Sequence, residues 1–240
     1  MSNLILVRHG QSTWNLENRF TGWVDVDLSE NGIKEAEKSG HLIGSLNLDL
    51  DLFFTSYLKR AIKTLEIILN NLKKSNNNII KAWELNERHY GELTGLNKEE
   101  MKKKLGEEQI KNFRRSWDIS PPPMKKDYKN NPKNSSLYSK ISTEKIPTTE
   151  SLRDTYNRVI PYFEEKIEFH LRKNKNVLIS AHGNSLRALC KKIFKISDEK
   201  IVELEMPTGN PLIINFDQNL QVSDYRYLDK ERQKNIIFNK

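Results

Sequence analysis

Two histidines in the chain each follow a short apolar run and each precede a glycine. Residues 4–7 lead into Arg8-His9-Gly10, and residues 177–181 lead into His182-Gly183. An unbroken apolar run of this length predicts a strand buried on both faces of a sheet. The carboxyl ends of parallel strands meet at one edge, where open α/β sheets bind their ligands. We therefore expect both imidazoles, and the guanidinium of Arg8, to meet at that edge.

A second arginine and one acidic residue are expected beside this pair. Arg60 lies near the start of a helix predicted to begin at Thr55-Ser56, directly after a strand. A helix N-terminus with a nearby arginine is a natural phosphate site. The alternative is that Arg60 merely pairs with a surface acid. Glu87 follows a further predicted strand, at the junction between that strand and a polar loop.

These residue types suit the transfer of a phosphoryl group. Two guanidiniums can neutralise the oxygens of the group, and a neutral imidazole can attack phosphorus. The attacking ring must present a lone pair, so its other nitrogen should donate a hydrogen bond, for instance to a backbone carbonyl. The second imidazole can stabilise charge in the transition state. Glu87 can protonate the leaving oxygen and later deprotonate the incoming hydroxyl.

A catalytic metal ion is the alternative for a pair of histidines with acids nearby. The five histidines include no His-x-His or His-x-x-x-His pair. The arginines expected at the same edge of the sheet would also repel a divalent cation. We therefore expect the reaction to need no metal.

The elements that must position these groups follow from the apolar pattern. Strands alternate with helices before a final hairpin, which predicts an α/β protein with a mostly parallel central sheet and one antiparallel edge strand. Pro161 should kink or break one helix, and Cys190 falls on an apolar helix face as a buried residue. The other predicted strands span 50–54, 79–83, 212–216 and 222–227, and the helices span about 29–46, 55–72, 98–117, 150–171 and the residues from 184.

Length and composition limit the class of protein. A chain of 240 residues fits one domain, here residues 1–240. No apolar run is long enough to span a bilayer, the first strand begins at once, and Cys190 is the only cysteine, so we expect a cytoplasmic protein. The net charge is +8, but the lysines are dispersed and no aromatic side chains are interleaved with the basic runs. A nucleic-acid-binding protein is therefore the disfavoured reading.

Two segments lack a hydrophobic period. Residues 118–148 are rich in Pro, Asn, Ser and Lys, and we expect a lid-like insertion within the one domain. The last residues, about 229–240, are rich in Lys and Asn and are expected to form a mobile tail.

Longer motifs around these residues resemble one known family, the 2,3-bisphosphoglycerate-dependent phosphoglycerate mutases of the histidine phosphatase superfamily. The resemblance runs from residue 3 to about 228. It implies a three-layer α/β/α histidine phosphatase (phosphoglycerate mutase-like) fold. The matching motifs are residues 8–15, 18–23, 85–91, 95–98, 114–115 and 181–187.

The resemblance also implies a role for each matching residue. His9 would become the phosphohistidine, Glu87 the proton donor and acceptor, and His182 the group that stabilises the transferring phosphoryl. The phosphoryl group would be held by Arg8, Asn15, Arg60, Gly183 and Asn184, and the rest of the phosphoglycerate by Thr21, Gly22, Tyr90, Lys98, Arg114 and Arg115. Contacts to the substrate are also expected from the remaining motif residues Gly10, Gln11, Ser12, Thr13, Trp14, Arg88 and His89.

The activity implied is the metal-independent interconversion of 2-phosphoglycerate and 3-phosphoglycerate, primed by 2,3-bisphosphoglycerate. It serves glycolysis and gluconeogenesis, in a homodimer or homotetramer with no nucleic acid and no membrane as partner. The open alternative is a phosphatase or a bisphosphoglycerate synthase on the same scaffold. Gln11 departs from the family pattern, which usually has Glu there, and the tail is shorter than in many members.

Overall fold

Six strands of the computed structural model, which describes residues 1–234, form one sheet in the order β3-β2-β4-β1-β5-β6. The four strands β3, β2, β4 and β1 pair in parallel, β5 runs antiparallel to β1, and β6 runs antiparallel to β5. The expected mostly parallel sheet with antiparallel pairing at one edge is therefore confirmed. The strands are β1 Ser2–Arg8, β2 Leu52–Thr55, β3 Ile79–Lys81, β4 Val177–Ala181, β5 Leu212–Phe216 and β6 Val222–Tyr227.

Helices cover both faces of this sheet. In chain order they are α1 Thr13–Leu16, α2 Glu30–Gly44, α3 Lys59–Asn71, α4 Lys98–Leu105, α5 Glu107–Arg115, α6 Leu152–Tyr162, α7 Phe169–Arg172 and α8 Gly183–Ile193. A π-helical segment, Phe163–Glu168, joins α6 to α7. Ser29 caps α2, because its side chain accepts a hydrogen bond from the Gly32 amide at 3.1 Å.

The hydrophobic core is divided by the alternating side chains of the strands. Ile5 and Val7 of β1 pack on one face with α2 and α3, whereas Leu4 and Leu6 pack on the other face with α6 and α8. All four are fully buried, as expected for a strand covered on both sides. This arrangement is the three-layer α/β/α fold.

The register of β1 against β4 brings the two histidines together. Arg8 lies opposite Ala181, and the His9 amide donates to the Ala181 carbonyl at 3.0 Å. The next residue after each strand is a histidine, so both imidazoles leave the sheet side by side at the carboxyl edge of the parallel strands.

Two of the predicted helix boundaries were wrong. The helix expected over 98–117 is two helices, α4 and α5, that meet at Gly106, whose φ of 89° an L side chain rarely adopts. The helix expected from Thr55-Ser56 begins only at Lys59. Ser56 lies before this helix, and its hydroxyl contacts His182 and the Leu58 amide.

The other departures are smaller. The strand expected over 79–83 ends at Lys81, and a short 3₁₀ turn, Trp83–Leu85, follows. The break expected at Pro161 appears as the π-helical segment that starts two residues later, as the missing proline N–H and the ring displace the regular hydrogen bonds.

Residues 118–148, the predicted lid-like insertion, contain only short 3₁₀ turns and loops. Met124, Tyr138 and Ile146 are buried, and the Tyr138 ring lies 5.0 Å from the Trp23 ring. The insertion is thus packed on the body of the protein, and motion of a lid stays a prediction.

The start of the predicted mobile tail is held by side chains. Asp229 is buried and pairs with Lys38 at 2.6 Å and with Arg232 at 2.9 Å. Residues 235–240 lie outside the described part of the chain. Within residues 1–234, no helix is both long and apolar enough to cross a membrane.

Candidate active site

The imidazole of His9 is held in one tautomer. Its Nδ1 lies 2.6 Å from the carbonyl oxygen of Gly10, which can only accept, so Nδ1 carries the proton. Nε2 therefore has a lone pair, and it accepts a hydrogen bond of 3.2 Å from Nε of Arg60. The expected backbone acceptor for the second ring nitrogen is present, and Nε2 is the atom available for attack on phosphorus.

The second imidazole faces the first. The ring centroids of His9 and His182 are 5.0 Å apart, and the ring planes are inclined by 62°. The Ser56 hydroxyl accepts from the Leu58 amide at 3.1 Å and lies 2.7 Å from Nε2 of His182, to which it can donate its proton. With Ser56 as that donor, Nδ1 of His182 carries the ring proton, and this buried atom has no partner among the described residues. It is a donor suited to a phosphoryl oxygen.

Both imidazoles are neutral at physiological pH. Burial lowers the pKa of His9 well below 6.5, and the charges of Arg60 and Arg8 lower it further. Burial is also the main cause that lowers the pKa of His182, followed by the charge of Arg60. A neutral ring is the form that can attack phosphorus, so the surroundings of His9 keep it competent.

Two buried guanidiniums flank the imidazoles. Arg60 donates to the carbonyls of Val24 and Gly22, both at 2.9 Å. Burial lowers its pKa to about 10, which leaves it a cation at neutral pH. Arg8 donates to the Met206 carbonyl at 2.8 Å, and its Nε is buried without a partner among the described residues. Backbone acceptors thus fix both cations, and neither is neutralised by a carboxylate in these hydrogen bonds.

Glu87 is placed at the rim of the same group. Its side chain is buried, and Oε1 accepts from the amides of Arg88 at 2.8 Å and Asn184 at 3.0 Å. A Cβ atom at Gly183 would lie 3.6 Å from Oε2. The second oxygen of the carboxyl group therefore faces the glycine that follows His182, where it can exchange a proton with a bound oxygen.

Two adjoining cavities open on these residues. The smaller, of about 80 Å³, reaches His9 and is lined by Arg8, His9, Asn15, Arg19, Phe20, Thr21, Gly22, Arg60, Glu87, Tyr90, Lys98 and Arg114. The larger, of about 170 Å³, is lined by Arg8, Glu87, Tyr90, Arg114, Arg115, Gly183, Asn184, Arg187, Glu205, Met206 and Pro207. Four residues belong to both walls, so a ligand can extend from the imidazoles to Arg115.

Most of the residues expected from the sequence lie on these walls. Eight do not line either cavity: His182, whose ring faces that of His9, and Gly10, Gln11, Ser12, Thr13, Trp14, Arg88 and His89. Their contact with a substrate stays a prediction, and the structure gives several of them another role.

The residues after His9 fold the loop. A Cβ atom at Gly10 would lie 2.1 Å from the Gly32 carbonyl oxygen, so only glycine allows this approach to α2. The Gln11 side chain accepts from the Ser29 hydroxyl at 2.9 Å, and Ser12 caps the short helix α1. Thr13 and Trp14 are the first residues of that helix.

Arg88 and His89 lie beneath the cavity wall. Arg88 donates to the Arg114 carbonyl at 2.7 Å, and its guanidinium stacks on the Tyr90 ring at 4.8 Å. Nδ1 of His89 accepts from the Gly91 amide at 3.0 Å, and burial lowers its pKa to about 3. Both residues therefore support Tyr90 and its loop.

Seven residues of the site were missed from the sequence: Ser56 and the cavity-lining residues Arg19, Phe20, Arg187, Glu205, Met206 and Pro207. Ser56 was taken as part of a helix start, and Glu205 precedes a loop with no other signal. The one sequence signal for Arg187 is its position in the motif that begins at Ala181. Among residues 1–234, no three His, Cys, Asp or Glu side chains are grouped as metal ligands. Burial raises the pKa of Cys190 to about 12, as expected for a thiol in the core.

A neutral imidazole between two arginines, facing a second imidazole across the edge of a three-layer sheet, defines the histidine phosphatases as a class. The family model of the histidine phosphatase superfamily (branch 1) matches residues 4–130 and 124–225. The chain belongs to this superfamily and, within it, to the 2,3-bisphosphoglycerate-dependent phosphoglycerate mutases.

The similarity to named relatives covers nearly the whole chain. A 2,3-bisphosphoglycerate-dependent phosphoglycerate mutase of Pelagibacter ubique is 53% identical, over 99% of both chains. The protein of the same name from Zymomonas mobilis is 52% identical, over 97% of this chain and 100% of its own.

Solved structures share the fold at lower identity. A mycobacterial glucosyl-3-phosphoglycerate phosphatase complexed with VO₃ has a TM-score of 0.70 at 19% identity, over 94% of this chain and 96% of its own. The α-ribazole phosphatase of Shigella flexneri has a TM-score of 0.65 at 20% identity, over 92% of this chain and 95% of its own.

Proposed function

We propose that the protein interconverts 2-phosphoglycerate and 3-phosphoglycerate through a phosphohistidine at His9. The observation that carries the proposal is the neutral His9 ring, with Nδ1 donating to Gly10 and Nε2 facing the cavity between Arg8 and Arg60. The relatives that match over nearly the whole chain are named for this activity.

The chemical step follows from these groups. Nε2 of His9 attacks phosphorus in line, the bond from phosphorus to the ester oxygen breaks, and the oxygen takes a proton from Glu87. Arg8, Arg60 and Nδ1–H of His182 stabilise the charge on the three phosphoryl oxygens. In the reverse direction, Glu87 accepts the proton of a free hydroxyl as that oxygen attacks the phosphohistidine. Primed His9 gives its phosphoryl group to the free hydroxyl of a bound phosphoglycerate and then takes a phosphoryl group from the other position, which converts one isomer into the other.

The second half of the cavity distinguishes a mutase from a simple phosphatase. A mutase must hold the phosphate and carboxylate groups that do not react, so it needs positive charge away from the nucleophile. Lys98, Arg114 and Arg115 supply this charge on the walls. Burial lowers the pKa of Lys98 to about 8, with smaller contributions from Arg114 and Arg8. This cluster of positively charged side chains favours a ligand with several negative charges.

The residues present fit 2,3-bisphosphoglycerate, the compound after which the relatives are named. Arg8 and His182 each have a buried nitrogen with no partner among the described residues, which suits one phosphoryl group. Arg114 and Arg115, on the wall of the larger cavity, would hold the second phosphate. When bound, this compound supplies the phosphoryl group that primes His9.

Several companion features are part of the same proposal. They are independence of metal ions, a cytoplasmic location, and assembly as a homodimer or homotetramer without nucleic acid or membrane partners. The phosphatase or bisphosphoglycerate synthase alternative is kept as an outcome of the test below, because no observation of the structure favours it.

The experiment that tests the activity measures conversion of 3-phosphoglycerate in the presence of EDTA, with and without vanadate. We expect 2-phosphoglycerate as the main product, an undiminished rate in EDTA, and inhibition by vanadate. Inorganic phosphate as the main product would favour the alternative, and loss of activity in EDTA would contradict the metal-independent mechanism.

A further inference from the structure

Arg187 is a buried arginine on the wall of the larger cavity. It lies on α8, five residues after His182, and only 2% of its surface is exposed. One nitrogen, Nη1, donates to Oδ1 of Asn184 at 2.8 Å. The other, Nη2, donates to the carbonyls of Arg115 at 3.1 Å and Ile201 at 2.6 Å. One planar group therefore joins three separate segments that surround the cavity.

The contact with Asn184 decides how this side chain is turned. Because Nη1 of Arg187 takes the amide oxygen, the amide nitrogen faces the Tyr90 hydroxyl, to which it donates at 3.2 Å. The backbone amide of Asn184 also donates to Oε1 of Glu87 at 3.0 Å. Asn184 thus connects the acid to Tyr90, and Arg187 holds the Asn184 side chain in the orientation that makes the bond to Tyr90.

The carbonyl groups of Arg115 and Ile201, which accept from Nη2, belong to other segments around the cavity. Arg115 is the last residue of α5, and the carbonyl groups at a helix end lack partners within the helix. Ile201 lies in the 3₁₀ turn before Glu205 and Met206, which line the cavity. Nη2 of Arg187 therefore ties the end of the helix that carries Arg114 and Arg115 to the opposite loop.

We propose that Arg187 is a positioning residue. It fixes the geometry of the larger cavity, which binds the part of the substrate that does not react. This inference rests on the proposed function. The hydrogen bonds of Arg187 within the described chain go to the side of Asn184, Arg115 and Ile201, and not to His9 or Arg60. Replacement should therefore weaken binding of phosphoglycerate far more than binding of a small phosphoryl mimic.

The decisive comparison uses the variants Arg187→Lys and Arg187→Met, with Arg226→Lys as the matched control. Arg226 is half exposed on β6 and pairs only with Asp224 among its described ion-pair partners. Lysine keeps the charge but cannot reach three acceptors from one planar fork, and methionine keeps the volume without the charge. For each variant we would measure kcat and KM for 3-phosphoglycerate, the inhibition constant of vanadate, and the thermal midpoint.

We expect both substitutions at Arg187 to raise KM about tenfold or more, whereas the inhibition constant of vanadate should change less than about twofold. The control should leave all values unchanged. Equal losses of phosphoglycerate and vanadate binding would show a merely structural role and overturn the inference, as would an unchanged KM. If Arg187→Met does not fold, Arg187→Lys decides alone. If the unaltered protein has no mutase activity, the proposed function fails, and calorimetric binding of 3-phosphoglycerate to the same variants still tests the role of Arg187.

Discussion

Nε of Arg60 donates a hydrogen bond of 3.2 Å to Nε2 of His9, the atom that must attack phosphorus. A guanidinium against this lone pair disfavours protonation of the ring, because two positive charges would then be in contact. A phosphoryl group that approaches His9 must displace this bond, and its oxygens can accept the same N–H. The cation that protects the nucleophile is therefore already in place for the transition state.

Replacing Arg60 by lysine should lower kcat for the mutase reaction by about 100-fold or more, since a point charge cannot hold both the loop carbonyls and a phosphoryl oxygen. A second variant, Arg60→Met, removes the charge as well, so it should also raise the pKa of His9 toward its usual value, since Arg60 lowers that pKa in addition to burial. NMR titration of the His9 ring and steady-state kinetics would measure both effects. A loss of activity without movement of the ring titration would disprove the electrostatic part of this account.

The free energy of unfolding should decrease as the pH falls below about 6.5. Burial is the main cause that lowers the pKa of His9, His89 and His182, so the unfolded chain binds protons at pH 5 to 6 that the folded protein does not. The unfolded state is therefore favoured as the pH falls, by up to about 1.4 kcal/mol per pH unit for each histidine. Urea unfolding between pH 7.5 and 5.0 measures this slope.

His89→Asn separates this effect from catalysis, because His89 lies outside the cavity walls. Between pH 5 and 6.5, the free energy of unfolding of the variant should depend on pH less steeply, by the contribution of about one proton. The carboxyl groups that also have lowered pKa values, such as Asp51 and Asp229, act below this window. A slope that is zero in the unaltered protein would refute the assignment of neutral buried imidazoles.

Glu87→Gln should reduce kcat by about 100- to 10,000-fold, because the amide can neither give a proton to the leaving oxygen nor accept one. The amide oxygen can still accept from the amides of Arg88 and Asn184, so the thermal midpoint should change little. Kinetics and calorimetry on the same preparation test this prediction. Retention of more than half of the activity would assign proton transfer to another group.

Glu205→Gln should improve substrate binding. Glu205 lines the larger cavity and forms an ion pair with Arg115, and Lys234 lies 3.8 Å away. Its carboxylate competes with an anionic substrate for Arg115, so its removal should lower KM by about three- to tenfold at low salt. Glu203→Gln is the control, because Glu203 does not line the larger cavity. An unchanged or raised KM for Glu205→Gln would contradict this competition.

Those parts of the fold that depend on local pattern were predictable. The two strands that end in His-Gly are uniformly apolar, and the helix after Ser29 has a capping residue and a periodic face, so their positions followed from the sequence. The break at Gly106 was not foreseen, since a single glycine in a helical pattern can be tolerated and only the left-handed φ reveals the turn. The helix start at Lys59 was missed because Ser56 resembles a cap but serves His182 instead.

The candidate site, like the fold, could be predicted only in part. The residues next to the strands, His9, His182 and Arg8, could be placed from topology alone. Arg187 could not, because two of its three acceptors are backbone carbonyls outside its own helix, at Arg115 and Ile201, and a carbonyl acceptor has no signature in the sequence. Gly10 was expected to approach a ligand, whereas the structure shows its close approach to Gly32.

Phosphorylation of His9 is tested most directly by mass spectrometry of the protein after brief exposure to 2,3-bisphosphoglycerate at neutral pH, with the acid-labile phosphate mapped by fragmentation. We expect one phosphoryl group on His9 and none in His9→Gln. A phosphoryl group on any other residue, or full mutase activity in His9→Gln, would contradict it.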